Sequence, residues 1–171
     1  MKPVDQEALS HRKHSLDTLA AVKRMEAALA RGETDMSAYF TQDFLWRGNR
    51  GAGTKRGIAE FRRNWQRPLR AAFSERVYRT EQMIADGDWA ACFGHIEANH
   101  TGAFMGIAPT GRRIKIPYMD FWRVDAGRIA DNPVFVDLAE VLFQLGHDVF
   151  GGEGWEAFDE GRREPPAPEG T

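Results

Sequence analysis

Hydrophobic residues near the N-terminus recur at helical spacing. Between residues 5 and 31, apolar side chains alternate with charged ones at the spacing of a helix face: Leu9, Leu16, Leu19, Val22, Met25 and Leu29. This pattern predicts a long amphipathic helix that ends at Gly32. Residues 57–73 show similar spacing and predict a second helix, in which Pro68 predicts a kink or an early end.

The second half of the chain alternates between apolar and polar residues, which is typical of half-buried strands. Four such segments predict four strands: 75–87, 88–102, 112–124 and 128–137. The last two are joined by a tight turn at residues 125–127, where Asp, Ala and Gly supply turn chemistry.

The remaining segments complete the fold prediction. A short strand at 44–48 is expected to direct Trp46 inward, and the polar, glycine-rich run 49–57 predicts a loop. Residues 138–150 predict closing helical turns. Helices followed by hairpin-linked strands indicate an α+β fold with a largely antiparallel sheet, which encloses a pocket if it curls around the helices.

Length, composition and charge narrow the class of protein. The 171 residues, 42% hydrophobic and 28% charged, are typical of one soluble globular domain. We expect that domain to cover residues 1–160, followed by a disordered, proline-rich tail over 161–171. A formal net charge of -2 lacks the basic excess with which proteins bind nucleic acids or anionic membranes.

The single cysteine and the N-terminal residues indicate in which cellular compartment the protein is expected. Cys92 is the single cysteine, so it forms neither an internal disulfide nor, alone, a thiolate metal site, which indicates a reducing environment. Residues 1–15 are charged throughout and lack the apolar core of a signal peptide. No segment reaches the roughly 20 apolar residues of a membrane span. We expect a cytoplasmic protein without membrane or nucleic-acid partners.

Asp120 is the residue that the pattern does not explain. It falls on the predicted apolar face of its strand, with Tyr118 and Trp122 beside it. A charged carboxylate there costs several kcal/mol unless something compensates. Either a dry pocket raises its pKa and suits it to general acid/base chemistry next to a carbonyl, or it makes a structural hydrogen bond. A regular hairpin register places it opposite Pro133 and near Gly94, where a missing side chain would leave room for a ligand.

Three other groups of polar residues are candidates. His100 either faces the pocket as a second catalytic group or bonds to the loop 102–111. Asp137 either reaches the pocket mouth, as a third catalytic group, or caps the helix that begins at Leu138. His95, Glu97 and Asn99 alternate on the opposite face without converging ligands, so we expect no metal site.

Large aromatic residues fall where the fold directs side chains inward. As a group they predict a binding cavity for a flat, largely apolar molecule, although core packing explains each one singly: Phe44, Trp46, Trp65, Tyr118, Trp122 and Phe135.

Several motifs resemble those of a known family. His100-x-Gly102, the loop Gly106–Arg112, the strand and turn Trp122–Ile129, Asp137 and the ending Gln144–Gly146 occur in the order found in the SnoaL-like polyketide cyclases, a branch of the nuclear-transport-factor-2-like superfamily. The resemblance covers roughly residues 15–147.

The resemblance implies a cone, in which a strongly bent sheet wraps around helices and leaves an apolar cavity, and it implies a homodimer. The antibiotic-ring cyclases of the family use a His and an Asp together, which this resemblance assigns to His100 and Asp120. Two positions depart from the family pattern: Asn132-Pro133 replaces a His-Trp pair, and Ala108-Pro109 replaces two prolines.

The expected function combines both lines of reasoning. We expect the protein to bind a small hydrophobic carbonyl compound and to catalyse cofactor-free aldol cyclisation or isomerisation, with Asp120 moving the proton and Tyr118, Trp46 or His100 stabilising the enolate. The alternative is a non-catalytic ligand-binding or dimerisation module of the same fold. A hydrolase with a water bound to Asp120 ranks below both.

Overall fold

The computed structural model describes residues 5–151 and 154–164. The elements follow one another in the order α1 (Gln6–Arg31), β1 (Phe40–Gly48), β2 (Thr54–Arg56), α2 (Gly57–Phe61), a π-helical segment (Arg62–Gln66), α3 (Arg67–Ala72), β3 (Phe73–Asp86), β4 (Trp89–His100), β5 (Arg113–Asp125), β6 (Arg128–Val136), α4 (Leu138–Gln144) and α5 (Glu156–Asp159).

The six strands form one curved, open sheet in the order β2-β1-β6-β5-β4-β3. Neighbouring strands are antiparallel, except that β1 runs parallel to β6. The predicted α+β fold with N-terminal helices is confirmed. β2 lies inside the segment predicted as a loop, because three residues are too few to show an alternating pattern.

Helix α1 begins and ends where its capping residues dictate. The Asp5 side chain accepts hydrogen bonds from the backbone N–H groups of Glu7 and Ala8, and Gly32 ends the helix in the left-handed conformation. One face of the helix, which includes Val22 and Met25, is buried in the core. The helix thus lies across the inner face of the sheet. Leu9 and Leu16, which the apolar spacing placed on the same face, are 48% and 57% exposed, so the buried part of the helix begins only at Thr18.

A covering segment, residues 57–72, closes over the space between α1 and the sheet. Pro68 does not end it; the proline lies in the first turn of α3, directly after the wider π-helical turn, where its missing N–H is tolerated. The Arg62 side chain donates hydrogen bonds to the Thr34 and Glu33 carbonyl oxygens, and Arg70 donates to that of Leu29 at 3.3 Å. These bonds fasten the covering segment to the end of α1.

Irregular pairing bends the sheet and changes its register. Pairing shifts twice in β3, between Ser74 and Val77 and between Thr80 and Gln82, and once in the β5–β6 hairpin beside Arg123. An extra residue on one strand moves the side chains beyond it to the other face relative to a regular hairpin.

The C-terminal tail is described as far as residue 164. Residues 161–164 turn back on α5, where the Arg162 and Arg163 N–H groups donate to the Ala157 carbonyl oxygen. The rest of the tail predicted to be disordered, 165–171, lies outside the described residues. Within the described part, no helix has the length and apolar character to cross a membrane.

Candidate active site

A cavity of about 520 Å³ lies between α1, the covering segment and the inner face of the sheet. Apolar side chains form most of its wall. Five of the six aromatic residues predicted to bind a ligand line this cavity, together with Phe61 of the covering segment: Phe44, Trp46, Trp65, Tyr118 and Trp122. The alternation in β1 and β5 explains this, because each of these strand residues lies on the inner face.

Two indole rings form one side of the cavity. The Trp46 and Trp65 ring centroids are 4.6 Å apart, with an angle of 33° between the ring planes. Gly48 makes this arrangement possible, since a Cβ atom there would come within 2.6 Å of the Trp46 ring. Trp46 of β1 and Trp65 of the covering segment therefore pack ring against ring in the cavity wall.

The expected inward orientation of Phe135 is wrong. Its side chain is 51% exposed on the outer face of β6, while Val134 and Val136 line the cavity. The register shift in the β5–β6 hairpin explains the difference, because Asp120 pairs with Val134 and not with Pro133.

The expected space above Gly94 is also absent. Gly94 pairs with Tyr118 on β5, but a Cβ atom at Gly94 would overlap the Arg79 carbonyl oxygen. The bulge in β3 folds this backbone over the glycine, so the glycine accommodates the protein's own chain. The same bend brings the Thr80 hydroxyl to 3.1 Å from the Tyr118 hydroxyl.

Asp120 lies in the cavity wall and is held by one neighbour. The Asn132 side-chain amide donates to Asp120 Oδ1 at 3.1 Å and to the Phe121 carbonyl oxygen at 2.7 Å. No described residue donates a hydrogen bond to the second carboxyl oxygen, which leaves it for a ligand. Burial raises the pKa of Asp120 to about 7; the charge of Glu26 adds to the rise and the bond from Asn132 opposes it.

The raised pKa of Asp120 predicts a specific pH dependence of stability. The folded state holds this proton up to about pH 7, whereas the unfolded chain releases it near pH 3.9. The stability that the proton contributes is complete below the unfolded pKa and is lost as pH rises towards the folded one. Between about pH 4.5 and 6.5, the free energy of unfolding of the wild type should fall relative to Asp120→Asn by up to about 1.4 kcal/mol per pH unit.

Urea unfolding of both proteins across this range measures the difference. The subtraction removes the contributions of groups that titrate alike in both proteins. Parallel pH profiles for the two proteins would show that the pKa of Asp120 is not raised by folding.

Among the other polar residues that line the cavity, Asn132 and Glu26 interact with Asp120, and neither of them was assigned to the site from the sequence. Asn132 donates the hydrogen bond to Asp120. In the sequence, the only indication of a special role was that Asn132 departs from the family pattern at this position. Glu26 lines the cavity from α1, where it falls four residues after Val22 and three before Leu29, on the helix face that the apolar spacing defines. Because Glu26 is charged, a search for apolar residues did not assign it to that face. Burial raises the pKa of Glu26, and the charge of Lys23 opposes this.

His100 lies elsewhere. It is fully buried at the end of β4, where Nδ1 accepts from the Thr110 N–H at 3.2 Å and also contacts the Thr110 hydroxyl at 3.1 Å. From Cys92, the residue paired with Asp120, to His100 is about 26 Å of strand at ~3.3 Å per residue. The structure therefore brings His100 to the loop 102–111, the second of its two expected positions, and does not bring it to Asp120.

Asp137 and the outer polar residues also lie outside the cavity wall. Asp137 is exposed and caps α4 by accepting from the Glu140 N–H at 2.9 Å. Glu97 on the outer face pairs with Arg79 and Arg113. Over residues 5–151 and 154–164, no cluster of three or more His, Cys, Asp or Glu side chains is arranged to hold a metal ion.

Known proteins share this architecture. Residues 19–145 match the family model for SnoaL-like polyketide cyclases. Nogalonic acid methyl ester cyclase of Streptomyces nogalater is 30% identical over 135 residues, which span 77% of this chain and 98% of that enzyme.

Solved structures agree in fold. A SnoaL-like protein of Jannaschia sp. CCS1 superimposes with a TM-score of 0.68 at 16% identity, over 77% of this chain and 93% of its own. An NTF2-like protein of Burkholderia thailandensis gives a TM-score of 0.63 at 22% identity, over 75% and 96% of the two chains. With the family model matching most of its length, this chain belongs to the SnoaL-like polyketide cyclase family.

Proposed function

We propose that the protein binds a flat, hydrophobic carbonyl compound in this cavity and catalyses cofactor-free proton transfer next to the carbonyl, leading to aldol cyclisation or isomerisation. The observation that carries the proposal is a carboxyl with a pKa of about 7 in a predominantly aromatic cavity. A group with this pKa is close to half ionised at neutral pH, so it can both take and give a proton. The similarity to a cyclase supports the reaction type.

The proposed step is balanced within the substrate. Ionised Asp120 takes a proton from the carbon next to the ketone, which forms an enolate. In a cyclisation, the enolate carbon then attacks a second carbonyl carbon of the same molecule, a carbon–carbon bond forms, and the proton returns from Asp120 to the new alkoxide oxygen. In an isomerisation, it returns to a different carbon.

Two neighbours of Asp120 support this step. The Tyr118 hydroxyl lies on the same face of β5, and burial raises its pKa to about 12, so it remains a hydrogen-bond donor to an enolate oxygen. The bond from Asn132 fixes one oxygen of Asp120 and aims the other into the cavity. Asn132 is therefore a positioning residue.

The experiment that tests this function needs no knowledge of the natural substrate. An aromatic methyl ketone is incubated with the protein in D₂O, and NMR follows exchange of the protons next to the carbonyl, in the wild type and in Asp120→Asn. Enzyme-dependent exchange supports the proposal. Binding without exchange supports the non-catalytic module instead.

We also propose that the protein is a cytoplasmic homodimer whose copies pack through the outer sheet face. Three large apolar side chains form a row across β4, β5 and β6, because Phe93 pairs with Met119 and Met119 pairs with Phe135. Each is about half exposed, and adjoining exposed apolar side chains favour a surface that a partner covers. A second copy presents the same row, as a twofold interface requires.

Met119→Glu should separate the dimer, because it places a charge at the centre of this row on both copies. Sedimentation equilibrium should show a mass near 19.3 kDa for the variant and twice that for the wild type. Arg128→Glu, a charge reversal at the exposed β5–β6 turn, is the control and should remain dimeric. A monomeric wild type would contradict this interface.

A further inference from the structure

We propose that Glu26 determines specificity in the cavity by accepting a hydrogen bond from a hydroxyl group of the ligand. This inference rests on the proposed function and adds the second recognition point that the function lacks. Asp120, on β5, acts on the carbonyl group of the ligand. Glu26 is on α1, on another wall of the same cavity.

The position of Glu26 requires a partner. Its side chain is half-buried among the apolar residues of the cavity wall, and no described residue donates a hydrogen bond to it. Lys23, one turn earlier on α1, is exposed and acts on Glu26 only through its charge. A carboxylate held in an apolar wall without a donor is unfavourable, and a ligand donor relieves that cost.

The charges around the cavity decide which donor fits. Lys23 and Arg70 are both exposed and both line the cavity, so the rim repels an ammonium group. Glu26 repels a ligand carboxylate inside. A neutral hydroxyl donates a hydrogen bond to Glu26 without meeting either repulsion. The aromatic walls, with Trp46 and Trp65 stacked, fit a phenolic ring better than an aliphatic alcohol.

The carboxyl groups of Glu26 and Asp120 interact with different groups of the ligand. The negative charge of Glu26 helps to raise the pKa of Asp120, which strengthens Asp120 as the base that takes the proton next to the carbonyl of the ligand. A ligand with a hydroxyl at one end and a ketone at the other satisfies both groups. The reaction that supplies such a substrate must therefore leave a free phenol, unmethylated and unglycosylated.

A matched pair of probes tests this inference: an acetonaphthone with a free hydroxyl on the far ring, and its methyl ether. Their binding to the wild type, Glu26→Met and Glu26→Gln is measured by titration. The wild type should bind the hydroxyl probe about 10-fold or more tightly than the ether, because a hydrogen bond to a charged acceptor is strong. Glu26→Met should bind both probes alike, and Glu26→Gln should show an intermediate preference.

The outcomes separate this inference from the proposed function. Arg24→Met, an exposed change on the same helix, should keep the wild-type preference. If both probes bind and the hydroxyl preference survives in Glu26→Met, the role of Glu26 is overturned and the cavity function stands. If folded Glu26→Met loses both probes equally, hydroxyl selection is overturned as well. If neither probe binds the wild type at millimolar concentration, the proposed function fails and the inference with it.

Discussion

Replacing Asp120 by asparagine is expected to slow exchange of the ketone protons by about 10²–10⁴-fold, the range that general acid/base groups contribute. Asparagine has almost the same shape and still accepts the hydrogen bond from Asn132, but it neither takes nor donates the proton. Its neutral amide also removes the cost of ionising a buried carboxyl, so the variant should be at least as stable as the wild type at neutral pH.

Asp137→Asn is the matched control. It makes the same chemical change at an exposed carboxylate, and asparagine caps helices as well as aspartate does, so α4 keeps its first turn. Exchange should proceed at the wild-type rate. An Asp120→Asn protein that exchanges normally would mean that another group moves the proton, and an inactive Asp137→Asn protein would restore the role that the sequence suggested for Asp137.

Replacing Gly94 by alanine should lower the free energy of unfolding by about 3 kcal/mol, the upper end of the usual cost of overpacking a core. The obstacle is the Arg79 carbonyl group, which is backbone and cannot rotate away as a side chain would. β3 must move for the methyl group to fit, and Thr80 then withdraws from Tyr118. Urea unfolding measures the loss.

Gly111→Ala provides the comparison for this experiment. No atom lies within 4 Å of the Cβ position at Gly111, but its φ of +69° strains an alanine, so a loss of about 1–2 kcal/mol is expected. If Gly94→Ala were instead as stable as the wild type and only lost affinity for aromatic probes, the space above Gly94 would belong to the ligand.

The pattern of apolar residues predicted most of the fold because strands and helices impose different periods on the chain. Trp46, Tyr118 and Trp122 were assigned to the cavity by alternation alone, and the structure agrees. Alternation failed at Phe135, because a bulge near Arg123 adds one residue and reverses every orientation after it. Nothing in the residues of the hairpin identifies that bulge.

The polar part of the site was harder to predict, for two physical reasons. A charged residue on a helix is normally solvated. Glu26 was therefore not predicted to face the cavity, although its spacing places it on the buried face of α1. The neighbours of Asp120 depend on which strands pair and in what register. Asn132 thus became identifiable as its partner only once β6 was aligned with β5. The raised pKa of Asp120 has the same origin, since burial is a property of the assembled sheet.

The stacked indoles of Trp46 and Trp65 give the cavity an optical signal of its own. Two indole rings whose centroids are 4.6 Å apart couple their electronic transitions, which gives a paired band in circular dichroism that isolated tryptophans lack. Trp89 and Trp155 are exposed and remote in sequence from this pair. A flat molecule entering beside the stacked rings alters their coupling, so occupancy of the cavity can be followed without a label and without turnover.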